Sequence, residues 1–378
     1  MKKRIMSCFM ALALCLTLLP ATAQAADNTH EHSTHPICGK TCSHTGKTAH
    51  PDNAFANAKW LASSAGVLSV QKDSSSSSGD WLAKDPTDNN CVLLTGGYYY
   101  LSTEVANYED HSYVRSYKTI KIQGNVTICL NGTQIQKVVD NTGSVGPVFE
   151  VPAGSTLTLT DCKDNGTGTG TGTGKVTCEE SSNGSGVYVN GGILNLYGGQ
   201  ITKSYGQKGT DSNKYGGGVY VSNNGTFTMN GGTITNNKAD IGGGVYVNGG
   251  TFTMNGGTIS NNTSSGGYGK LSFGGAGVYV EKSGNFIMNN TASVTGNTIG
   301  YGSTGGAGVY VNGGTFEMHN SASVKDNTAN NSSGSSGGGV YVNGGTFKMH
   351  NNASVTGNTA TNGTLNGAGV YVSGSGND

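Results

Sequence analysis

Proline is scarce in this 378-residue chain, at 6 residues, whereas glycine reaches 64, about twice ordinary usage. Glycine does not fall at every third position, so collagen is excluded. Charged residues make up only 12% of the chain while Val, Phe, Met and Ile recur along it, which is not the signature of plain disorder. An excess of either charge is missing too. Basic and acidic residues number 22 each, and losing Lys2, Lys3 and Arg4 with a signal peptide leaves 19 against 22, near −3. That balance argues against a nucleic-acid surface or a polybasic membrane patch. Helical periodicity is absent, and beyond the first residues no apolar run approaches membrane length.

Met1 to Ala25 has a basic start, an apolar run and small residues around Ala23-Gln24-Ala25, the pattern of a secretory signal cleaved after Ala25. Its apolar stretch, Ile5 to Leu19, is short for a spanning helix and Pro20 ends it. The mature chain is therefore expected to be secreted or held at the cell surface, without a transmembrane segment. Residues 26–90 read as a polar leader with a serine linker at Ser74 to Ser78. From Cys91 short β-branched and aromatic runs alternate with Gly- and Asn-rich turns. Residues 91–185 read as irregular coils and 186–378 as regular repeats.

The repeat is Val-Tyr-Val, a turn, Thr-Phe-Thr-Met, a second turn, then Thr-Ile-Thr-Asn-Asn and a variable segment. Its leading Val recurs at Val187, Val219, Val245, Val278, Val309, Val340 and Val370, at intervals of 32, 26, 33, 31, 31 and 30 residues. Met229, Met254, Met288, Met318 and Met349 hold one position, with Phe227, Phe252, Phe286, Phe316 and Phe347 two residues earlier. Most length variation falls after the Asn pair, as when loops absorb insertions while strands stay aligned.

Strand side chains alternate between faces, so Val219 with Val221, Phe227 with Met229, and Ile234 share one apolar face. One coil cannot bury that face. Coils stacked about 4.8 Å apart can, by setting Val on Val, Phe on Phe and Met on Met. The expected fold is all-β, a right-handed single-stranded parallel β-helix with three short strands per coil of about 30 residues. Corners such as Asn248-Gly249-Gly250 and Asn312-Gly313-Gly314 suit the positive φ of Gly and the tolerance of Asn, and stacked Asn could bond between coils. A seven-bladed propeller would need blades of about 40 residues with four antiparallel strands. The repeats run to Asp378 without the polar cap that solenoid ends need, so a truncated C-terminus is expected.

Phe227-Thr228-Met229-Asn230, Phe252-Thr253-Met254-Asn255 and Phe286-Ile287-Met288-Asn289 resemble the FxxN pattern of polymorphic outer-membrane-protein repeats. Gly274-Gly275-Ala276-Gly277-Val278 and Gly305-Gly306-Ala307-Gly308-Val309 resemble the GGA-apolar partner of that pattern. The chain is also similar to secreted right-handed β-helix proteins of gut Gram-positive bacteria. That likeness lies in Leu94-Thr95-Gly96-Gly97-Tyr98, Cys129-Leu130-Asn131-Gly132 and Leu159-Thr160-Asp161-Cys162. The resemblance covers residues 91–378 and implies a surface or adhesin-like role. Phe316-Glu317-Met318-His319 and Phe347-Lys348-Met349-His350 depart from FxxN by ending in His.

Parallel β-helices also host polysaccharide lyases and hydrolases. Glycoside hydrolysis needs two carboxylates at fixed separation, yet Asp211, Asp240, Glu281, Glu317, Asp326 and Asp378 hold no equivalent positions in adjacent coils. The densest polar group is Glu104, Glu109, Asp110, His111 and Arg115, which reads first as a solvated charged loop. No catalytic residue is assigned and no enzyme is expected.

Five His lie between His30 and His50, around Cys38 and Cys42. His35, Cys38, Cys42 and His44 offer a zinc-type ligand set, against a flexible leader or a Cys38–Cys42 disulfide. No other cofactor is expected. Cys129 and Cys162, one coil apart, are the expected disulfide on the outer surface, with free thiols as the alternative. His319 and His350 are expected to be neighbours in stacked coils, as plain surface side chains before a metal pair.

Tyr188, Tyr220, Tyr246, Tyr279, Tyr310, Tyr341 and Tyr371 share one position in seven coils, expected on the outward face. Cross-coil stabilisation is the plainer reading of that stripe. The functional reading is an aromatic platform for a glycan or an extracellular protein, with variable loops such as Thr263 to Phe273 giving selectivity. The expected function is an exported adhesin-like binding protein, with a carbohydrate-active enzyme or a passive spacer as alternatives.

Overall fold

The computed structural model describes residues 59–373, except for 65–66, 72–79, 102–113, 131, 140–144, 162–173, 210–212, 266–271, 301–302, 331–334 and 362–364. Val-Tyr-Val forms the first strand of each regular coil. Val187–Asn190, Val219–Ser222, Val245–Asn248, Val278–Val280, Val309–Asn312, Val340–Asn343 and Val370–Ser373 pair in parallel, Val on Val and Tyr on Tyr. The Phe-x-Met strands stack in the same register from Ile193–Leu196 to Thr346–Met349, as do the third strands from Gln200–Thr202 to Ser354–Thr356. The fold is a parallel β-helix, as the repeat spacing implies.

Alternation along these strands sends the apolar side chains inward. Val219, Val221, Phe227, Met229 and Ile234 have no exposed surface, and neither do their counterparts in the next three coils. The Phe rings form one stack, with centroids 4.4 to 5.0 Å apart and planes within 15° of parallel. That spacing is the distance between hydrogen-bonded strands. The core runs unbroken from Leu61 to Val342.

The corners explain the recurring Asn-Gly-Gly. Gly249, Gly313 and Gly344 have φ of 70°, 77° and 66°, open to Gly at little cost. The glycine after each lies against the preceding coil: a Cβ on Gly250, Gly314 or Gly345 would fall 2.6 Å from a carbonyl oxygen. Asn side chains bond from coil to coil at the corners, as from Asn343 Nδ2 to Asn312 Oδ1 at 3.0 Å.

A second Asn ladder runs inside the molecule. Asn237, Asn262, Asn297 and Asn327 are at most 1% exposed, and each Nδ2 donates to Oδ1 of the Asn one coil on, at 2.9 to 3.0 Å, ending at Asn358. The same Oδ1 atoms accept the backbone N–H of the preceding Asn, and each Nδ2 also donates to a carbonyl of the preceding coil. Every polar atom of these buried amides is thus paired, which makes their burial tolerable.

From the Val219 coil onward the chain goes on past the three core strands. Lys238–Ala239, Thr263–Ser264, Thr298–Ile299, Thr328–Asn330 and Thr359–Thr361 form a fourth parallel sheet. Later coils add a short fifth strand before the next Val, from Ser272–Phe273 to Leu365–Gly367. Strands also begin earlier than composition suggests. Lys59–Ser64 pairs antiparallel with Val67–Gln71 and parallel with Cys91–Leu101, and Leu61 and Leu68 are buried in the core. The signal-like segment 1–25 and the serine linker lie outside the described residues. Among the described residues no helix is long and apolar enough to cross a membrane.

Candidate functional site

The seven tyrosines sit where alternation puts them, opposite the Val core, but the middle of the column is not open to solvent. Neighbouring ring centroids are 4.8 to 5.3 Å apart from Tyr188 to Tyr371. Tyr246, Tyr279, Tyr310 and Tyr341 are only 5%, 1%, 2% and 7% exposed, and Tyr188, Tyr220 and Tyr371 are half-buried. The outward-facing stripe is thus corrected to a second, lateral core, completed by Ile241 and by Tyr215, whose ring lies 4.9 Å from that of Tyr246.

The cover is glycine backbone. After the variable segment each coil returns through a Gly-rich stretch that lies directly on the ring. A Cβ on Gly275 would fall 2.7 Å from Tyr279 Cβ, and one on Gly305 would fall 2.6 Å from Tyr310 Cδ2. Apolar patterning does not betray such a cover, because it contains almost no side chains.

The buried hydroxyls have partners, which removes the objection to burying them. The residue two places after the next coil's Tyr shares its face and supplies the bond. Ser222 Oγ donates to Tyr188 Oη at 3.2 Å, and Tyr246 Oη donates to Glu281 Oε2 at 3.4 Å. Asn312 and Asn343 hold the equivalent place beside Tyr279 and Tyr310, whose hydroxyl oxygens accept from the Asn amides. Burial pushes the hydroxyls of Tyr246, Tyr279 and Tyr310 well above the ordinary tyrosine value. Sequence reading missed Glu281, Asn312 and Asn343 as partners, although the polar residue that closes each Val-Tyr-Val-Asn strand was the signal.

Beside this column the connections vary. Between the fourth strand and the next Val they hold 5, 13, 9, 9 and 8 residues in successive coils. All leave from one stacked sheet and all return at the Tyr column, so variation gathers on one side of a constant frame.

The other expected sites fare differently. His35, Cys38, Cys42 and His44 lie outside the described residues, as do Glu104, Glu109, Asp110 and His111, while Arg115 sits half-buried on the strand Val114–Ser116. Cys129 is disulfide-bonded, and its expected partner Cys162 lies outside the described residues. Cys129 itself is fully buried rather than at the surface, in register between Tyr100 and Thr160, which are also buried. Cys91 and Cys178 are free and buried, and desolvation pushes both thiols up to about 12, out of reach of ionisation at neutral pH.

Three acids of the regular coils have structural partners. Asp240 Oδ2 accepts the Lys214 N–H at 2.9 Å, Glu281 Oε1 accepts Asn312 Nδ2 at 2.8 Å, and Glu317 Oε1 meets Lys348 Nζ at 3.1 Å. Among the described residues one group has metal-ligand geometry: Glu317, His319 and His350. Comparison with protein-family models, curated proteins and solved structures returns no match.

Proposed function

We propose that this chain is an exported binding protein of the cell surface or its surroundings, an adhesin-like scaffold that engages a glycan or a host or neighbouring surface through the variable side of its β-helix. One observation carries the reading. The connections that follow the fourth strand run from 5 residues after Ala239 to 13 after Ser264, and all leave from one stacked sheet and return to the Val-Tyr-Val strands. A rigid frame with selective loops is a common arrangement for recognition. The buried tyrosines move the expected contact away from a bare aromatic strip and onto these segments, with the column as their support. The signal-like start and the likeness to polymorphic outer-membrane-protein repeats and gut Gram-positive β-helix proteins support an extracellular place for it.

The test is a glycan and mucin array carrying residues 26–378, read for both retention and cleavage. Retention without cleavage supports the proposal. Cleavage would replace it with a carbohydrate-active enzyme and direct attention to Glu104 through Arg115. Silence in both would leave a passive spacer, a reading that the burial of the tyrosine column also accommodates.

A further inference from the structure

Two histidines interrupt an asparagine ladder at the end of the second strand. Asn230, Asn255 and Asn289 hold that position in three successive coils, with Asn255 Nδ2 donating to Asn230 Oδ1 at 2.9 Å and Asn289 Nδ2 to Asn255 Oδ1 at 3.0 Å. The next two coils carry His319 and His350 instead. Their backbone N–H groups donate to the carbonyls of Met288 and Met318, both at 2.8 Å, so the coil register fixes where each side chain starts. The imidazoles stack with centroids 4.6 Å apart and planes 4° from parallel. Two residues back, on the same face of the strand, Glu317 divides its carboxylate. Oε2 lies 3.4 Å from His319 Nε2, and Oε1 lies 3.1 Å from Lys348 Nζ. Of the eight histidines only three follow the leader, and two of those three meet here.

We propose that Glu317, His319 and His350 form a surface site for a divalent transition-metal ion of the zinc class, with Lys348 competing with the ion for the Glu317 carboxylate. One ligand atom from each residue lies within 4.8 Å of the others. Two imidazole nitrogens and a carboxylate oxygen suit zinc and its neighbours in the first transition row. Tetrahedral bonds of about 2.1 Å put donor atoms about 3.3 Å apart, and the Glu317–His319 contact already has that separation. His350 is exposed, so its ring can close the remaining distance by turning about its side-chain bonds without disturbing the core. Three protein ligands leave a fourth position for water or an external ligand. The parallel fold creates the site: a 4.8 Å coil repeat brings like residues side by side, and two successive histidines become a pair.

The test is a titration of residues 26–378 with Co²⁺, followed by visible absorption, beside a His319→Asn/His350→Asn double variant and Lys348→Met. Asn at both positions continues the ladder that ends at Asn289, so the double variant keeps a corner the fold already uses, and circular dichroism checks it. Any ion held by the leader is common to all three proteins. Wild type is expected to bind one more equivalent than the double variant. Lys348→Met should keep that equivalent and hold it about three-fold tighter, as removal of an exposed ion pair allows. Equal stoichiometry in wild type and double variant overturns the proposal. Unchanged affinity in Lys348→Met removes the competing role given to that lysine.

Discussion

The buried tyrosine column should make the solenoid sensitive to alkali. The hydroxyls of Tyr246, Tyr279 and Tyr310 are raised chiefly by desolvation, and for Tyr246 and Tyr279 next by the charge of Glu281. Unfolded tyrosine ionises near 10. A folded value raised above that leaves stability whole below pH 10 and removes it as the pH climbs, because the unfolded chain releases protons that the folded one keeps. At pH 11 each such residue costs about 1.4 kcal/mol, so the three together cost about 4 kcal/mol. At about 2.1 cal/mol/K of unfolding entropy per residue, a solenoid of about 300 residues should lose about 6 °C of melting temperature between pH 9 and 11. Lysines titrate in the same range, so the control is the triple variant Tyr246→Phe/Tyr279→Phe/Tyr310→Phe, which keeps the rings and removes the hydroxyls. At pH 9 it loses the bonds to Glu281, Asn312 and Asn343, about 1 kcal/mol each. Towards pH 11 its melting temperature should fall much less than that of wild type. Thermal melts followed by circular dichroism at pH 9, 10 and 11 provide the assay. Equal falls in the two proteins would refute the burial argument.

Asn297→Ala strips the acceptor from the Asn262 N–H and Nδ2, which lie 2.9 and 3.0 Å from Asn297 Oδ1. Two donors are stranded in the interior, at a cost of about 2–4 kcal/mol, to be seen as faster hydrogen exchange in the flanking coils. Phe286→Ala opens a void between Phe252 and Phe316 and should cost about 4 kcal/mol in a denaturant titration. At the other end, Lys121 Nζ lies 2.8 Å from Asp85 Oδ2 and, with Thr87, holds that carboxyl far below its usual range. A lowered folded value gives stability above the unfolded value of about 4 and loses it as the pH falls below. Asp85→Asn should therefore flatten the drop in melting temperature between pH 5 and 3.

What the sequence disclosed follows from period. Val219 with Val221, Phe227 with Met229, and Ile234 alternate on strands and recur at coil spacing, so their stacking was legible without coordinates. The Asn-Gly-Gly corners were legible because positive φ has few tenants. The buried ladder from Asn237 to Asn358 was not, since an amide after a turn-forming Asn looks like more turn. Only the geometry shows the glycine before each Val making room for it: a Cβ on Gly308 would lie 2.9 Å from Asn327 Nδ2. The burial of Tyr279 was hidden because what covers it is glycine backbone, which carries no hydrophobic signal. Lys59–Ser64 escaped notice because it belongs to no repeat, and its parallel partners Tyr99 to Leu101 lie forty residues further along the chain. The Glu317–His319–His350 group needed the register of two coils, and Glu317 had been read only as an isolated acid.

The central claim, a constant frame that presents selective segments, is tested most directly by measuring binding and stability on the same variants. Segment 266–271 would be replaced by Gly and Ser at equal length and compared with Tyr279→Phe on the glycan or mucin surface that retains wild type. The account predicts that the segment exchange abolishes retention and leaves the melting temperature unchanged, whereas Tyr279→Phe lowers the melting temperature and leaves retention intact. Retention that survives the exchange and disappears with Tyr279→Phe would contradict it.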